Sequence, residues 1–140
     1  MEPFFGGKTD INAYLKDGKR IRMGDIGEGI QSYVITRMLY ELFKPDVLLL
    51  DDIESHLNPR ILLHMSQWFS ELMNKQKQVV ISTHSLEATK IIAGINEEST
   101  IIYLTSLEDS ILKTKKLTYS DLQELSDAGV DPRISEAFLL

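Results

Sequence analysis

The sequence predicts an α/β fold in which a partial parallel sheet is flanked by helices, with a β-hairpin at the N-terminus and a small α+β segment at the C-terminus. Two observations support this fold class. Helical periodicity alternates with short apolar runs between residues 28 and 93, which is typical of parallel strands joined by helices. Each apolar run is followed by polar residues. With 140 residues, the chain is long enough for one domain, so residues 1–140 are predicted to form a single unit.

The first predicted element is a β-hairpin over residues 11–23. Residues 14–16 and 19–22 resemble short strands, and Asp17 and Gly18 lie between them. An Asp-Gly pair supplies the positive φ angles of a tight two-residue turn. We therefore expect the two strands to pair directly around Asp17 and Gly18.

A helix is predicted from Glu28 to Phe43. Apolar residues recur in it at three- and four-residue spacing, so they are expected to form one buried face: Ile30, Val34, Ile35, Met38, Leu39 and Leu42. Pro45 ends this helix, because the residue before a proline disfavours helical backbone angles.

The central segments are two strands and the helix between them. Val47–Leu50 and Val79–Ile81 are continuous apolar runs, which predict strands buried on both faces of a parallel sheet. Between them, Asn58 is a good helix cap and Pro59 suits the first helical position. The buried side of that helix is predicted to consist of Ile61, Leu62, Met65, Trp68, Phe69 and Leu72.

The C-terminal part is predicted to contain two helices and a strand pair. Leu86–Ala93 forms a short helix closed by Gly94. Thr100–Leu104 is a strand that pairs with 110–116. A capping box begins the last helix near residue 121, with the spacing of Ser120 and Gln123.

Composition excludes several functional classes. The absence of cysteine excludes disulfides and thiolate metal ligands, so a metal would need oxygen or imidazole ligands. No apolar run approaches the ~20 residues of a membrane span, and no signal peptide begins the sequence, so we expect a cytoplasmic protein without a membrane partner. The net charge of −6 argues against nucleic-acid binding through overall charge. The one dense basic cluster in the N-terminal part consists of Lys16, Lys19, Arg20 and Arg22.

Two adjacent carboxylates, Asp51 and Asp52, follow the first predicted parallel strand. Ligands of open α/β sheets bind at this end of the strands, and a cation or solvent offsets the repulsion between neighbouring carboxylates. Val47–Leu50 therefore resembles a Walker B strand that presents carboxylates to magnesium. The alternative is an exposed Asp-Asp turn that helps to cap the helix beginning at Pro59.

Two further groups have the chemistry of a phosphate site. The glycines of Gly27-Glu28-Gly29 let backbone amides approach a ligand, and the helix that starts there directs its positive end towards an anion. His84 directly follows the second predicted parallel strand with Ser82 and Thr83. The alternatives are a simple loop before a helix and a histidine that only satisfies hydrogen bonds at a strand end.

In this order, the segments resemble the C-terminal lobe of an ABC-type ATPase of the soluble chromosome-maintenance, recombination-repair and phage-defence type. The resemblance covers about residues 11–105: a signature loop and helix at 24–43, Walker B and D-loop at 47–59, and a switch-histidine strand at 78–85. Residues 51–59 read Asp-Asp-Ile-Glu-Ser-His-Leu-Asn-Pro, which follows the carboxylate-x-Glu-x-His-Leu-x-Pro pattern of these enzymes. Transporters differ at the signature loop and after Walker B. The resemblance implies a P-loop NTPase-like fold.

The resemblance also implies a role for each site residue. Asp51 would bind Mg²⁺, and His84 would contact the γ-phosphate of ATP. Asp52 replaces the glutamate that orients the attacking water, and Glu54 is the second candidate for positioning that water. The backbone of Gly27, Glu28 and Gly29 would bind ATP held by the opposite subunit of an ATP-dependent homodimer. His56 and Asn58 fall in the D-loop, which crosses the dimer interface.

The phosphate-binding P-loop, Gly-x-x-x-x-Gly-Lys-Ser/Thr, does not occur in the 140 residues. Gly7-Lys8-Thr9 is a decoy, because the first glycine of the pattern would fall on Glu2 and only 17 residues separate Thr9 from Gly27. We therefore expect an N-terminal lobe with the P-loop, on the same or a separate chain, and no ATP turnover by this chain alone. The alternative function is a non-catalytic interaction module derived from such an ATPase. Contact with nucleic acid is expected only through parts absent from this sequence.

Overall fold

The computed structural model describes residues 12–14, 16–55 and 57–134, which form six strands and four α-helices. In chain order these are β1 (Asn12–Tyr14), β2 (Arg20–Arg22), α1 (Glu28–Phe43), β3 (Val47–Leu50), α2 (Pro59–Asn74), β4 (Gln78–Ile81), α3 (Leu86–Ile95), β5 (Ile102–Glu108), β6 (Ile111–Leu117) and α4 (Tyr119–Asp127). The β3–β4 pair is parallel, whereas β1–β2 and β5–β6 are antiparallel. The predicted α/β class, with a small parallel sheet, flanking helices and an antiparallel hairpin, is confirmed. The decoy Gly7-Lys8-Thr9 lies outside the described residues.

The N-terminal hairpin forms as predicted, but its turn differs from the predicted one. Tyr14 at the end of β1 pairs with Arg20 at the start of β2, so the connection is longer than two residues. Gly18 has a φ of +79°, whereas Asp17 is not among the residues with positive φ. The carboxylate of Asp17 instead accepts a hydrogen bond from the backbone N–H of Lys19 at 3.2 Å. This Asx-type contact favours the longer turn, so the prediction of a two-residue turn is wrong.

The β3–β4 pair places the ends of the two strands side by side. Val47 is opposite Gln78, and Leu50 is opposite Ile81. At the start of the pair, Asp46 accepts a hydrogen bond from the Lys77 ammonium group at 2.5 Å, and its carbonyl accepts one from the Gln78 N–H at 2.9 Å. These contacts fix the register that determines which polar residues meet at the carboxyl ends.

The prediction that both parallel strands are buried on both faces is wrong for the described residues. The side chains alternate, and one set packs against the core: Leu48, Leu50, Val79 and Ile81. The opposite set is exposed, with relative accessibilities of 47% for Val47, 72% for Leu49 and 46% for Val80. The reason is that the core lies on one face of the sheet, and no described element covers the other.

Helix α2 supplies five of the eight buried residues in the main core cluster of the described residues. Its cap is the predicted one, because Asn58 Oδ1 accepts a hydrogen bond from the Ile61 N–H at 3.0 Å and Pro59 occupies the first turn. The ring of Trp68 meets that of Tyr40 nearly perpendicularly, at a centroid distance of 5.5 Å. Burial of each such large apolar side chain contributes roughly 1.5–3 kcal/mol. The predicted inward side of α2 is confirmed, with Leu62, Met65, Trp68, Phe69 and Leu72 buried and Ile61 half-buried.

Helix α1 has the predicted bounds, but its predicted buried face is wrong. The inward side carries Gly29, Tyr33 and Tyr40, and the two tyrosine rings pack on Trp68 of α2. Most of the apolar residues predicted to be buried are exposed: Ile30, Ile35, Met38, Leu39 and Leu42. A helix that is apolar on nearly all sides is typical of one covered from two directions. Here α2 covers α1 from one direction.

Helix α3 continues past its predicted end. Gly94 lies inside the helix, which ends at Ile95. A Cβ atom at position 94 would lie 2.9 Å from Oη of Tyr119 in α4, so close packing accounts for this glycine. None of the helices among the described residues is long and apolar enough to cross a membrane.

The β5–β6 pair is confirmed, with β5 beginning two residues and ending four residues later than predicted, and β6 shifted by one residue towards the C-terminus. The capping box of α4 uses Thr118 and Asp121 in place of Ser120 and Gln123. Thr118 Oγ1 accepts from the Asp121 N–H at 3.1 Å, and Asp121 Oδ2 accepts from the Thr118 N–H at 2.7 Å. This pair fits because Thr118 directly follows β6, where the backbone is still extended.

Candidate functional site

The loops that follow β3 and β4 form one hydrogen-bonded unit. The Ser82 N–H donates to the Leu50 carbonyl at 2.9 Å, and the Ile53 N–H donates to the Ser82 carbonyl at 3.3 Å. The pairing of the strands therefore continues into both loops. We call the polar residues of this unit the strand-end cluster: Asp51, Asp52, Glu54, Ser82, Thr83 and His84.

Ser82 connects the two adjacent carboxylates. Its hydroxyl donates a hydrogen bond to Asp51 Oδ1 and accepts one from the Asp52 N–H at 3.0 Å. Both aspartates are exposed, so solvent reduces the repulsion between them. The Ser82 hydroxyl thus fixes one carboxylate oxygen of Asp51 relative to the turn that Asp52 begins.

Asp52 occupies a strained backbone conformation, with a φ of +50°. Aspartate tolerates this region better than most residues, because its short carboxylate bonds locally. Asp52 Oδ2 accepts a hydrogen bond from the Ser55 hydroxyl at 2.7 Å, and the Asp52 carbonyl accepts one from the Ser55 N–H at 2.9 Å. The cap of α2 is supplied by Asn58, so the reading of the Asp-Asp pair as a helix cap is not supported.

Glu54 joins the loop after β3 to the loop after β4. Its Oε1 accepts from the His84 N–H at 2.6 Å, and its Oε2 accepts from the Thr83 hydroxyl at 2.5 Å. Burial raises the pKa of Glu54, but hydrogen bonds from Thr83 and from the backbone lower it more, so the net pKa lies below the usual value. Glu54 is therefore ionised at neutral pH, and both of its oxygens hold the second loop.

The backbone of His84 is held on both sides while its side chain is exposed. Its N–H donates to Glu54, and its carbonyl accepts from Arg133 Nη1 at 2.8 Å. The next residue, Ser85, caps α3 by accepting from the Ala88 N–H at 3.1 Å. The imidazole is thus presented to solvent from a fixed peptide at the start of a helix.

The predicted signature loop lies at the start of α1. Gly27 is the N-cap and makes no side-chain cap, and Gly29 is buried. The loop before α1 is held by Gln31, whose side-chain amide donates a hydrogen bond to the Ile26 carbonyl at 2.5 Å. Gly27 and Glu28 are exposed at the positive end of the helix, and the strand-end cluster does not include them.

The structure describes Asn58, one of the two predicted D-loop residues. Asn58 is the cap of α2, so the structure gives its side chain a folding role. His56 lies outside the described residues. Any contact of either residue with a second subunit stays a prediction.

The oxygen atoms around Asp51 fit a magnesium ion that is shared with phosphate. Among the described residues, no three His, Cys, Asp or Glu side chains are grouped so as to hold a metal. Magnesium usually binds one or two carboxylates and keeps the remaining positions for water and substrate phosphate. Asp51, with the neighbouring Ser82 hydroxyl, provides such a partial set of oxygen ligands.

The sequence singled out Asp51, Asp52, Glu54 and His84 as candidates, and the structure brings them together, but the residues that connect them were missed. Ser82 was recognisable in principle, because a hydroxyl one residue beyond β4 is level with the carboxylate one residue beyond β3. Arg133 gave no such signal, since 49 residues separate it from His84. Only the folded chain brings those two together.

Comparison with known proteins identifies the family. A family model described as an AAA domain, putative AbiEii toxin of a type IV toxin–antitoxin system, matches residues 11–89, which is more than half of the chain. The chain belongs to this family of ABC-type ATPase domains. The predicted resemblance to the C-terminal lobe of an ABC-type ATPase is thereby confirmed.

This ABC-type domain is also similar to an archaeal protein and to solved structures. An uncharacterized protein of Methanocaldococcus jannaschii is 28% identical over 116 residues, which cover 77% of this chain and 99% of that protein. A solved SMC ATPase, described in terms of ATP-driven dimerization and DNA-stimulated activation, has a TM-score of 0.65 at 15% identity. The match covers 85% of this chain and 71% of the SMC chain. The Smc head domain of Pyrococcus furiosus, bound to the C-terminal domain of ScpA, has a TM-score of 0.56 at 14% identity. The match covers 85% of this chain and 29% of the Smc chain. The shared fold is that of an SMC head.

Proposed function

We propose that this chain supplies one side of an ATP-hydrolysing site in an ABC-type ATPase. The observation that carries the proposal is the strand-end cluster, in which Ser82 and Glu54 join the Asp51-Asp52 turn to His84. Phosphate-transfer sites need carboxylates and a phosphate-contacting group in a fixed relation, because most of their catalysis is positioning and charge stabilisation. The cluster has both kinds of group on two neighbouring loops.

Each residue of the cluster then has a distinct task. Asp51 would hold Mg²⁺, which when bound neutralises charge on the phosphates of ATP. Asp52 would orient the attacking water. Glu54 is the second candidate for that role, although both of its oxygens already accept hydrogen bonds from the loop after β4. His84 would contact the γ-phosphate through its exposed imidazole.

The signature loop would complete the site of a second subunit. The amides of Gly27, Glu28 and Gly29 at the positive end of α1 suit a phosphate anion. We propose that these amides bind phosphate in a site shared between two subunits, with the D-loop residues His56 and Asn58 near the interface. The similar SMC ATPase is described as dimerising when driven by ATP. We therefore propose an ATP-dependent homodimer.

A lobe that carries the P-loop would cover the exposed face of the β3–β4 pair. The supporting observation is the bare face of β3–β4, where Val47, Leu49 and Val80 are exposed. Strands of parallel sheets are ordinarily covered on both faces, and an apolar face without cover marks an interaction surface. The lobe lies on the same or a separate chain, and without it this chain is expected not to hydrolyse ATP.

The test is ATP turnover by the chain joined to its P-loop lobe. Asp51→Asn and His84→Ala should each lower kcat at least about a hundredfold, as expected for groups that act on the transferring phosphate. Asp127→Asn and His64→Ala change exposed residues of the same types on α4 and α2 and should leave kcat within about twofold. If both site variants keep full turnover while the lobe still binds, the chain is a non-catalytic interaction module.

A further inference from the structure

We propose that Arg133 is a positioning residue for the switch histidine, so that the segment after α4 governs how firmly His84 is held. This inference rests on the proposed role of His84 at the γ-phosphate. Arg133 Nη1 donates to the His84 carbonyl at 2.8 Å. The contact joins the far end of the described chain to the loop after β4.

The guanidinium of Arg133 is itself held in a fixed orientation by Asp131. Its Nε lies 2.9 Å from Oδ1 and 3.2 Å from Oδ2 of Asp131, and its Nη2 lies 2.5 Å from Oδ2. Asp131 Oδ1 also accepts from the backbone N–H of Arg133 at 3.0 Å. A two-pronged pairing fixes the plane of a guanidinium group, so Nη1 is directed towards His84 before any ligand binds.

The segment that carries Arg133 is anchored to the helix that follows His84. Gly129 ends α4 with a φ of +70°, and the Val130 N–H donates to the Leu125 carbonyl at 2.8 Å. Pro132 is buried. Lys90 of α3 donates to the Ser126 hydroxyl of α4. Since α3 begins directly after the loop that contains His84, these contacts set the distance between Arg133 and that loop.

The backbone of His84 is therefore hydrogen-bonded on two sides. Glu54 holds its N–H from the loop after β3, and Arg133 holds its carbonyl from the C-terminal segment. If one of these hydrogen bonds were lost, the peptide could rotate about the remaining one, and the imidazole would sample a wider range of positions. Arg133 thus restricts His84 without touching the reacting atoms.

The first experiment measures amide hydrogen exchange in residues 1–140 without nucleotide. Arg133→Ala should accelerate exchange at His84 and Ser85 about three- to tenfold, the ratio expected for loss of one hydrogen bond. Asp131→Asn should give a similar acceleration, because it removes the carboxylate charge that orients the guanidinium. Arg60→Ala, at an exposed arginine on α2, is the matched control and should change neither amide.

Core amides distinguish positioning from a general loss of stability. Exchange at Leu72 and Val79 should be unchanged in Arg133→Ala, and the side-chain order of His84, measured by ¹³C relaxation of its ring, should fall while that of His64 does not. Equal acceleration at core and loop, or no acceleration at His84, would overturn the proposal.

The second experiment measures turnover in the protein joined to its P-loop lobe. Arg133→Ala should lower kcat about three- to tenfold with KM for ATP nearly unchanged, and Arg133→Lys should recover part of the loss, because an ammonium can donate to the same carbonyl. An unchanged kcat in Arg133→Ala overturns the inference when His84→Ala is inactive. If His84→Ala is fully active, the proposed function fails instead, and the exchange results still decide whether Arg133 restrains the loop.

Discussion

The backbone N–H of His84 donates a 2.6 Å hydrogen bond to Oε1 of Glu54, which lies 30 residues earlier in the chain. With the Thr83 hydroxyl on the other oxygen, this contact makes Glu54, together with Ser82, a link between the two loops at the carboxyl ends of β3 and β4. The relative placement of Asp51 and His84 thus depends in part on a residue whose carboxylate is already satisfied within the chain.

Glu54→Gln is expected to weaken this link and lower the free energy of unfolding by about 1 kcal/mol. The amide nitrogen of glutamine cannot accept a hydrogen bond, so either Thr83 or His84 loses its partner, and partial exposure moderates the cost. Urea unfolding at pH 7 measures the change. Glu71→Gln, at an exposed glutamate of α2, should be neutral, and equal stability of both variants would contradict the prediction.

The hydrogen bonds to Glu54 also predict that the free energy of unfolding depends on pH. The pKa of Glu54 in the folded chain is below its usual 4.5, so its ionised form stabilises the fold fully above about pH 4.5. That contribution is lost as the pH falls through the lowered pKa. The difference in urea midpoint between the native chain and Glu54→Gln should therefore be constant from pH 7 to 5 and shrink below pH 4.5. A constant difference down to pH 2 would show that the carboxylate charge is not involved.

Asp131 should stay ionised in stronger acid than an ordinary aspartate. The side-chain and backbone hydrogen bonds from Arg133 lower the pKa of Asp131 from 3.8 to about 2. The Asp131–Arg133 pair should accordingly be complete above pH 3.8 and break as the pH falls through about 2. An NMR titration of the Asp131 carboxyl carbon measures this directly. In Arg133→Ala the pKa of Asp131 should rise towards 3.8, and an unchanged titration there would refute the assigned cause.

Gly94→Ala is expected to destabilise the chain by no more than about 1 kcal/mol, because the higher helix propensity of alanine and a shift of the Tyr119 side chain offset part of the clash. The added methyl group would lie 2.9 Å from Oη and 3.1 Å from Cζ of Tyr119, and overpacking of this kind forces side chains or helices to shift. Removing the hydroxyl with Tyr119→Phe should recover part of the loss, which a double-mutant cycle in urea measures. Strictly additive effects of the two substitutions would mean that the contact is not the cause.

Local signals in the sequence were enough to predict most of the elements. Asn58 and Pro59 mark the start of α2 because a side-chain cap and a proline at the first turn both act within a few residues. The parallel pairing of Val47–Leu50 with residues 78–81 followed from two apolar runs separated by one helix. The same pairing accounts for the meeting of Asp51 with the loop that contains His84.

The remaining features depend on what covers each surface, which periodicity does not encode. Helix α1 is apolar on nearly every side, so its pattern did not reveal that Tyr33 and Tyr40 face α2 while Met38 faces outward. The contact of Arg133 with His84 likewise depends on how α4 packs on α3. Contacts between residues that are far apart in the sequence are therefore set by the packing of the complete fold, which local sequence patterns do not show.

Leu49→Lys separates the stability of this chain from its proposed association with a P-loop lobe. Leu49 is 72% exposed on the bare face of β3, so the substitution should change the free energy of unfolding of residues 1–140 by no more than about 0.5 kcal/mol. An ammonium group buried under a docked lobe would lose its hydration without a partner, so affinity for the lobe should fall at least about tenfold. Titration calorimetry with the purified lobe measures the affinity, and Leu63→Lys, at an exposed leucine of α2, is the control. Unchanged affinity in Leu49→Lys would show that the lobe docks elsewhere.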